Sequence, residues 1–166
     1  MPAMGHVEWL VPWAAGELLA TGYKAGQPYC NASVKTAQAA HSISLEVVSG
    51  KDISGADLRA DGQDAAIVAA TVVDAEGVAV PDASHYISFT TATGGAVVGI
   101  ANGDPASLER TRAAQGSAFH GKIAAIVQRA VAASAVAAEQ PLGPLTVTAS
   151  SPGLAAGTVA LALASD

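Results

Sequence analysis

Turn-forming sequences recur at short intervals along most of the chain, and they constrain its fold more than any other feature. Asp and Asn side chains bond the backbone two residues further on, while Gly and Pro supply the dihedral angles that turns require. Between the turns apolar and polar residues alternate, which is typical of strands with one buried face. The sequence therefore predicts an all-β fold, an antiparallel sandwich. The turn sequences are Ala60-Asp61-Gly62-Gln63-Asp64, Val73-Asp74-Ala75-Glu76-Gly77, Val80-Pro81-Asp82-Ala83 and Asn102-Gly103-Asp104-Pro105.

The residues from 41 to the C-terminus carry enough strands for a complete domain. Seven short strands match the count of an immunoglobulin-like sandwich, so we expect such a domain over residues 41–166. The polar connection Asn102–Gly121 is its longest predicted loop, and long loops are where binding sites usually lie. The predicted strands are Ile43–Ser49, Ala65–Asp74, Tyr86–Thr91, Ala96–Ile100, Lys122–Gln128, Leu145–Ser150 and Thr158–Leu163.

One alanine-rich segment, Ile123–Glu139, does not follow either period clearly. Intrinsic propensity favours a helix there. The family resemblance described below implies a strand for its first part only, and a helical turn or a mobile insert stays open for residues 130–139.

The first 40 residues predict a smaller piece of β-structure. Three strands are expected, at His6–Val11, Glu17–Tyr23 and Tyr29–Thr36, with a hairpin turn at residues 24–28. Three strands form one sheet whose apolar face needs a cover. Residues 1–40 are therefore predicted to be a partial immunoglobulin-like domain, a β-meander whose uncovered face promotes self-association.

Composition limits the core and the classes of partner. Alanine accounts for 39 of 166 residues and aromatic residues for 4%, so each buried position removes little apolar surface and the core should be thin. The net charge of -6, with no basic stripe, argues against nucleic acid. No apolar run reaches the roughly 20 residues of a membrane span, and the start does not resemble a signal peptide, so we expect a soluble chain.

No cofactor is expected. Cys30 is the only cysteine, and the four histidines are dispersed without metal-ligand spacing. Aspartates crowd into the turns, where calcium could bind through carboxylate oxygens, but turn formation alone explains Asp at these positions.

Ordered sequence blocks give a family resemblance over nearly the whole chain. Gly5-His6-Val7-Glu8-Trp9-Leu10-Val11-Pro12-Trp13 resembles the end of the fourth domain in one group of bacterial glycoside hydrolase family 2 β-galactosidases. Later blocks resemble the fifth, C-terminal domain of these enzymes. Two places depart from the pattern: Phe119-His120-Gly121 stands where the family often has Phe-Asn-Gly, and the Ala130–Gly143 stretch is longer than usual. The later blocks are Leu58-Arg59-Ala60-Asp61-Gly62-Gln63-Asp64, Val80-Pro81-Asp82-Ala83, the stretch from Gly99 to Ser107, and Ala118-Phe119-His120-Gly121.

The resemblance implies a piece of an enzyme, because the family's catalytic barrel and its two glutamates have no counterpart here. Retaining glycosidases need two carboxylates about 5 Å apart on a rigid scaffold. Glu8, Glu17 and Glu46 instead occupy exposed strand positions, and Glu76 lies in a turn. We expect a non-catalytic region that serves inter-domain packing, assembly or substrate access. Its partners would be the other domains of a parent glycosidase; the compartment is unknown, and the periplasm or exterior is compatible with such a parent.

Candidate carbohydrate contacts fall into two groups. Aromatic faces suit the apolar face of galactose, although aromatics at strand spacing more often belong to a core or a domain interface. The other group lies in or next to the long loop. Two alternatives stay open: a stand-alone carbohydrate-binding module, and an adhesin-type immunoglobulin-like repeat. The candidates are Trp9, Trp13, Tyr23, Asn102, Asp104, Glu109 and His120.

Overall fold

The computed structural model of the chain describes residues 5–48, 58–59, 63–92, 94–129 and 143–164, and within these ranges it contains twelve strands and no helix. The predicted all-β class is confirmed. The chain forms two compact units, Met1–Thr36 and Ala37–Asp166, which we call the N-terminal unit and the sandwich unit. The alanine-rich residues 130–139 lie outside the described ranges.

The N-terminal unit is a hairpin of two antiparallel strands, β1 (Glu17–Lys24) and β2 (Gln27–Lys35). Ala25 and Gly26 join them, and both have positive φ (51° and 78°), as a two-residue type I′ turn requires. The predicted hairpin is therefore confirmed. The strand predicted over residues 6–11 is wrong, because the described residues 5–14 form no strand. Alternation alone does not make a strand, since the backbone also needs a neighbour to complete a ladder.

Two four-stranded antiparallel sheets build the sandwich unit, in the orders β3-β5-β9-β7 and β11-β10-β6-β8. The first order corresponds to strands A-B-E-D of an immunoglobulin constant-type domain, and β11-β10-β6 to G-F-C. The strands are β3 (Ser42–Val47), β4 (Leu58–Arg59), β5 (Ala65–Val73), β6 (Tyr86–Thr91), β7 (Gly95–Ala101), β8 (Gln115–Ser117), β9 (Lys122–Arg129), β10 (Leu145–Ser150), β11 (Gly157–Leu161) and β12 (Leu163–Ala164).

All seven strands predicted for this unit are present. The sequence did not predict β4 and β12, which form a short parallel pair, or β8, which lies at the edge of the second sheet inside the expected long loop. These strands have only two or three residues each. A period of two cannot be recognised in so few residues.

The core consists of side chains from alternate positions of the two sheets. In β5, Ala66, Val68, Ala70 and Val72 have no exposed surface, while the residues between them are at least partly exposed. Six of the 19 buried residues in the core cluster are alanines and only Phe89 is aromatic, so the predicted thin core is confirmed. Stability therefore depends on many small contacts rather than on a few large side chains.

Strand β3 connects the two sheets along one side of the sandwich. Its Ile43 N–H donates to the Ala155 carbonyl (3.0 Å), and the Ala155 N–H donates to the His41 carbonyl (2.9 Å). A Cβ on Gly157 would lie 2.2 Å from the Ile43 carbonyl oxygen. Glycine at this position therefore allows the two backbones to approach closely.

Asp74 fixes the turn after β5 from a buried position, with 2% of its surface exposed. Its Oδ1 accepts the N–H groups of Glu76 and Val78, both at 2.9 Å, and its Oδ2 accepts the Gln38 N–H at 2.9 Å. The predicted turn role of this aspartate is confirmed. The bond to Gln38 adds a long-range contact that attaches the start of the sandwich unit to the turn.

The hydrogen bond from the Gln38 N–H, together with those from Val78 and Glu76, holds the pKa of Asp74 below its usual value against the opposing effect of burial. Because the folded-state pKa is lower than the unfolded-state pKa, ionised Asp74 stabilises the fold above about pH 4 and this stabilisation is lost as the pH falls further. We expect Asp74→Asn to be less stable at pH 7, since its amide would face the Gln38 N–H, and to lose less stability in acid than the parent chain.

Urea unfolding between pH 7 and pH 3 measures this difference. Asp82→Asn, in the exposed turn that follows, is the matched control and should follow the parent curve. Parallel pH dependence in the parent chain and Asp74→Asn would contradict the assignment.

Candidate functional site

A cleft of about 220 Å³ lies where β7 ends and the loop towards β8 begins. Its floor contains Ile100, and its rim is polar. Three of the predicted site residues meet there. The lining residues are Ile100, Ala101, Asn102, Gly103, Asp104, Ser107, Glu109, Arg110 and Thr111.

Successive side chain to backbone hydrogen bonds hold the first half of the loop. The Asp104 N–H donates to Asn102 Oδ1 (3.0 Å), and the Ala106 N–H donates to Asp104 Oδ1 (2.8 Å). Each bond reaches two residues back, as in the Asx turns that the sequence predicts. Asn102 Nδ2 also donates to the Ser117 carbonyl (3.0 Å), which anchors the turn to β8.

Glu109 anchors the second half of the loop. Its Oε1 accepts the Ser117 hydroxyl (2.6 Å) and its Oε2 accepts the Ser117 N–H (2.9 Å). These two bonds hold the pKa of Glu109 below its usual value. A Cβ on Gly116 would lie 2.8 Å from Oε2, so the small residue before Ser117 makes room for the carboxylate. No local pattern indicates Ser117 as the partner of Glu109, because the two residues lie eight positions apart in the predicted loop.

The electrostatics of the cleft favour hydrogen bonding over proton transfer. Glu109 is ionised at neutral pH and already accepts two hydrogen bonds, whereas a general acid needs a raised pKa. Arg110 adds donors to the rim. Carboxylates and a guanidinium can bind hydroxyl groups, but the lining contains no aromatic side chain on which a sugar ring could stack.

The predicted aromatic candidates lie in the N-terminal unit. Trp9, Trp13 and Tyr23 are 70%, 83% and 68% exposed. They belong to a different unit from Asn102, Asp104 and Glu109. The carbohydrate contacts of both groups stay predictions.

His120 lies outside the cleft lining, in a two-residue turn between Phe119 and Lys122. Its φ is 49° and that of Gly121 is 75°, again the signs of a type I′ turn. The ring meets Phe119 edge to face at 4.2 Å, and Nδ1 lies 3.2 Å from the Pro81 carbonyl oxygen. The Phe-Asn-Gly and Phe-His-Gly sequences are thus physically related, since Asn and His both tolerate positive φ better than most residues.

Within the described ranges, no group of three or more His, Cys, Asp or Glu side chains is placed to share a metal ion. The same part of the chain contains no helix long and apolar enough to cross a membrane.

The turn at His120 generates a stability prediction. Asn adopts positive φ at lower cost than His, and Ala at higher cost, so we expect the stability order His120→Asn, parent, His120→Ala, with steps of roughly 0.5–1 kcal/mol. Chemical denaturation measures the order. His41→Asn is the control for the change of side chain and should alter stability by less than about 0.5 kcal/mol. A parent chain more stable than His120→Asn would mean that the contacts with Phe119 and Pro81 outweigh the backbone preference.

Comparison with known proteins places this architecture in a family. Residues 52–160 match the sequence profile of the glycoside hydrolase family 2 C-terminal domain 5. The chain is 31% identical over 123 residues to the β-galactosidase BoGH2A of Bacteroides ovatus, covering 74% of this chain and 14% of that protein.

Solved structures have the same fold. A β-glycosidase from Bacteroides vulgatus superposes with a TM-score of 0.74 at 22% identity, over 93% of this chain and 18% of that one. A glycosyl hydrolase family 2 member from Bacteroides cellulosilyticus gives 0.71 at 23% identity, over 92% and 19%. The chain therefore spans less than a fifth of each of these relatives. With a matching profile over most of its length and an immunoglobulin-like sandwich, the chain belongs to the glycoside hydrolase family 2 C-terminal domain 5 family.

Proposed function

We propose that the chain is a non-catalytic accessory region of a family 2 glycosidase, which packs against the other domains of the parent protein and shapes access to its active site. The observation that carries this proposal is the double hydrogen bond between Ser117 and Glu109. It turns a carboxylate on the rim of the cleft into a structural anchor. The lowered pKa of Glu109 opposes the role of a proton donor.

The chain covers only a small part of each relative, and this supports the same proposal. It corresponds to 14% of BoGH2A and 18% of the Bacteroides vulgatus β-glycosidase, so most of each relative lies outside the matched region. Catalysis would then belong to the remainder of a longer protein. The loop fixed by Asn102, Asp104 and Glu109 would be a rigid element at a domain boundary.

A chromogenic β-galactoside assay of the purified chain tests the absence of catalysis, with Glu109→Gln as the matched variant. We expect no turnover above buffer from either protein, and a less stable loop in Glu109→Gln because a neutral amide forms weaker hydrogen bonds with Ser117 than a carboxylate does. Turnover by the parent chain that Glu109→Gln removes would refute the proposal. Calorimetric titration with galactose and lactose separates the two remaining functions, because binding without turnover would favour a carbohydrate-binding module.

For assembly, we propose that the N-terminal hairpin brings two copies of the chain together through one face. Cross-strand partners share a face, and the pairs Leu18↔Val34 and Ala20↔Ala32 make that face apolar. The opposite face carries Glu17↔Lys35 and other polar pairs. When two sheets pack into a sandwich, their apolar faces lie against each other.

The hairpin has several features of an association surface. Leu18 and Val34 are 54% and 71% exposed within the described residues. A two-stranded sheet is marginally stable in water unless its apolar face is covered, so pairing with a second copy would stabilise both hairpins. The same face would pack on the preceding strands of a parent protein when these are present.

Substitutions on the two faces test this proposal. We expect Leu18→Lys or Val34→Lys to weaken self-association about tenfold or more by placing charge in the apolar contact. Leu19→Lys is the control, because Leu19 is 60% exposed but lies on the polar face opposite Ser33. Sedimentation velocity measures the change. Equal effects of Leu18→Lys and Leu19→Lys, or a monomeric parent chain, would refute face-to-face pairing.

A further inference from the structure

A charged side chain is buried at one end of the sandwich. In β9 the residues Ile123, Ala125 and Val127 face the core and are at most 2% exposed. Arg129 is the last residue of the strand and continues this inward phase, with 8% of its surface exposed. Its guanidinium therefore lies at the edge of an apolar core.

One nitrogen of the Arg129 guanidinium lacks a partner in the part of the chain that the structure describes. This nitrogen, Nη1, is buried without a hydrogen bond. Arginine keeps its proton at any physiological pH, so the side chain cannot become neutral to lower the cost of burial. A buried charge of this kind is normally paired or bonded.

Two glycines lie beside Arg129. Gly95 of β7 is the cross-strand partner of Arg129, and Gly94 precedes it. A Cβ on Gly94 would lie 3.9 Å from Arg129 Nε, in ordinary contact, so the absence of a side chain there leaves Nε uncovered by residue 94. On Gly95 a Cβ would lie 2.3 Å from Leu145, which shows how tightly the apolar side is packed.

We propose that Arg129 is an anion-binding residue that takes the carboxylate of a small ligand at this end of the sandwich. A planar guanidinium presents two parallel N–H groups, which match the two oxygens of a carboxylate. The nearby apolar core lowers the local dielectric and strengthens the pairing. This binding site is separate from the cleft, and the inference does not depend on the accessory role proposed above.

The test measures thermal unfolding of the whole chain against increasing sodium acetate, at constant ionic strength maintained with chloride. We expect a saturable rise in the unfolding midpoint of about 3 °C near saturation, because an anion that binds only the folded state stabilises it. Arg129→Met should abolish this rise and be at least as stable as the parent chain without acetate, since it removes an unpaired buried charge. Arg112→Met, which removes an exposed arginine of the loop outside the cleft lining, should keep the full rise.

Two further measurements keep the proposal open to refutation if Arg129→Met does not fold. Arg129→Lys retains the charge but loses the planar fork, so its acetate response should be weaker. In the parent chain, the Nε–H resonance of Arg129 should shift with acetate along a saturation curve. Glucuronate compared with glucose tests whether the carboxylate is required, since only the ligand with the carboxylate should act. An unchanged Nε–H resonance, or equal acetate responses in the parent chain and Arg129→Met, would overturn the proposal.

Discussion

The sandwich unit depends on one constraint: alternate residues of β5 and β9 must be buried against the second sheet by side chains that are mostly small. Val68, Ala70 and Val127 are fully buried. Small side chains allow close contact but contribute little apolar area each, so the backbones must approach tightly for the core to close. The seam at Ile43, Ala155 and Gly157 is the place where this approach is closest.

Polar side chains add hydrogen bonds that stabilise the fold beyond what the thin core provides. Asp74 joins Gln38 to the turn after β5, and Glu109 joins the long loop to Ser117. Each carboxylate accepts hydrogen bonds from donors that would otherwise lie unpaired in a loop. Asp74 and Glu109 are in this way part of the architecture of the sandwich unit.

The cleft and Arg129 differ in whether their polar groups have hydrogen-bond partners. The polar side chains of the cleft bond to nearby backbone groups, so Asn102 and Asp104 hold the loop in shape. Nη1 of Arg129 is a buried donor without a described partner. A polar group whose hydrogen bonds are all made within the protein stabilises the fold. A buried donor without an acceptor instead favours binding of a ligand that supplies the acceptor.

Much of this fold was predictable, because period-two alternation and turn residues are local properties of a sequence. They identified six of the seven longer strands of the sandwich unit and the Asx turns at Asp74 and Asp104, whereas β9 was predicted from the family resemblance. The strand expected over residues 6–11 failed because a strand also needs a neighbour, which no local pattern provides. The sequence by itself determined the all-β class, the thin core and the turn chemistry. Only the tertiary structure decided that Glu109 binds Ser117 and that Asp74 binds Gln38, because these partners are distant in sequence and meet only when the sheets pack. For the same reason, only the packed sheets show that Arg129 faces the core.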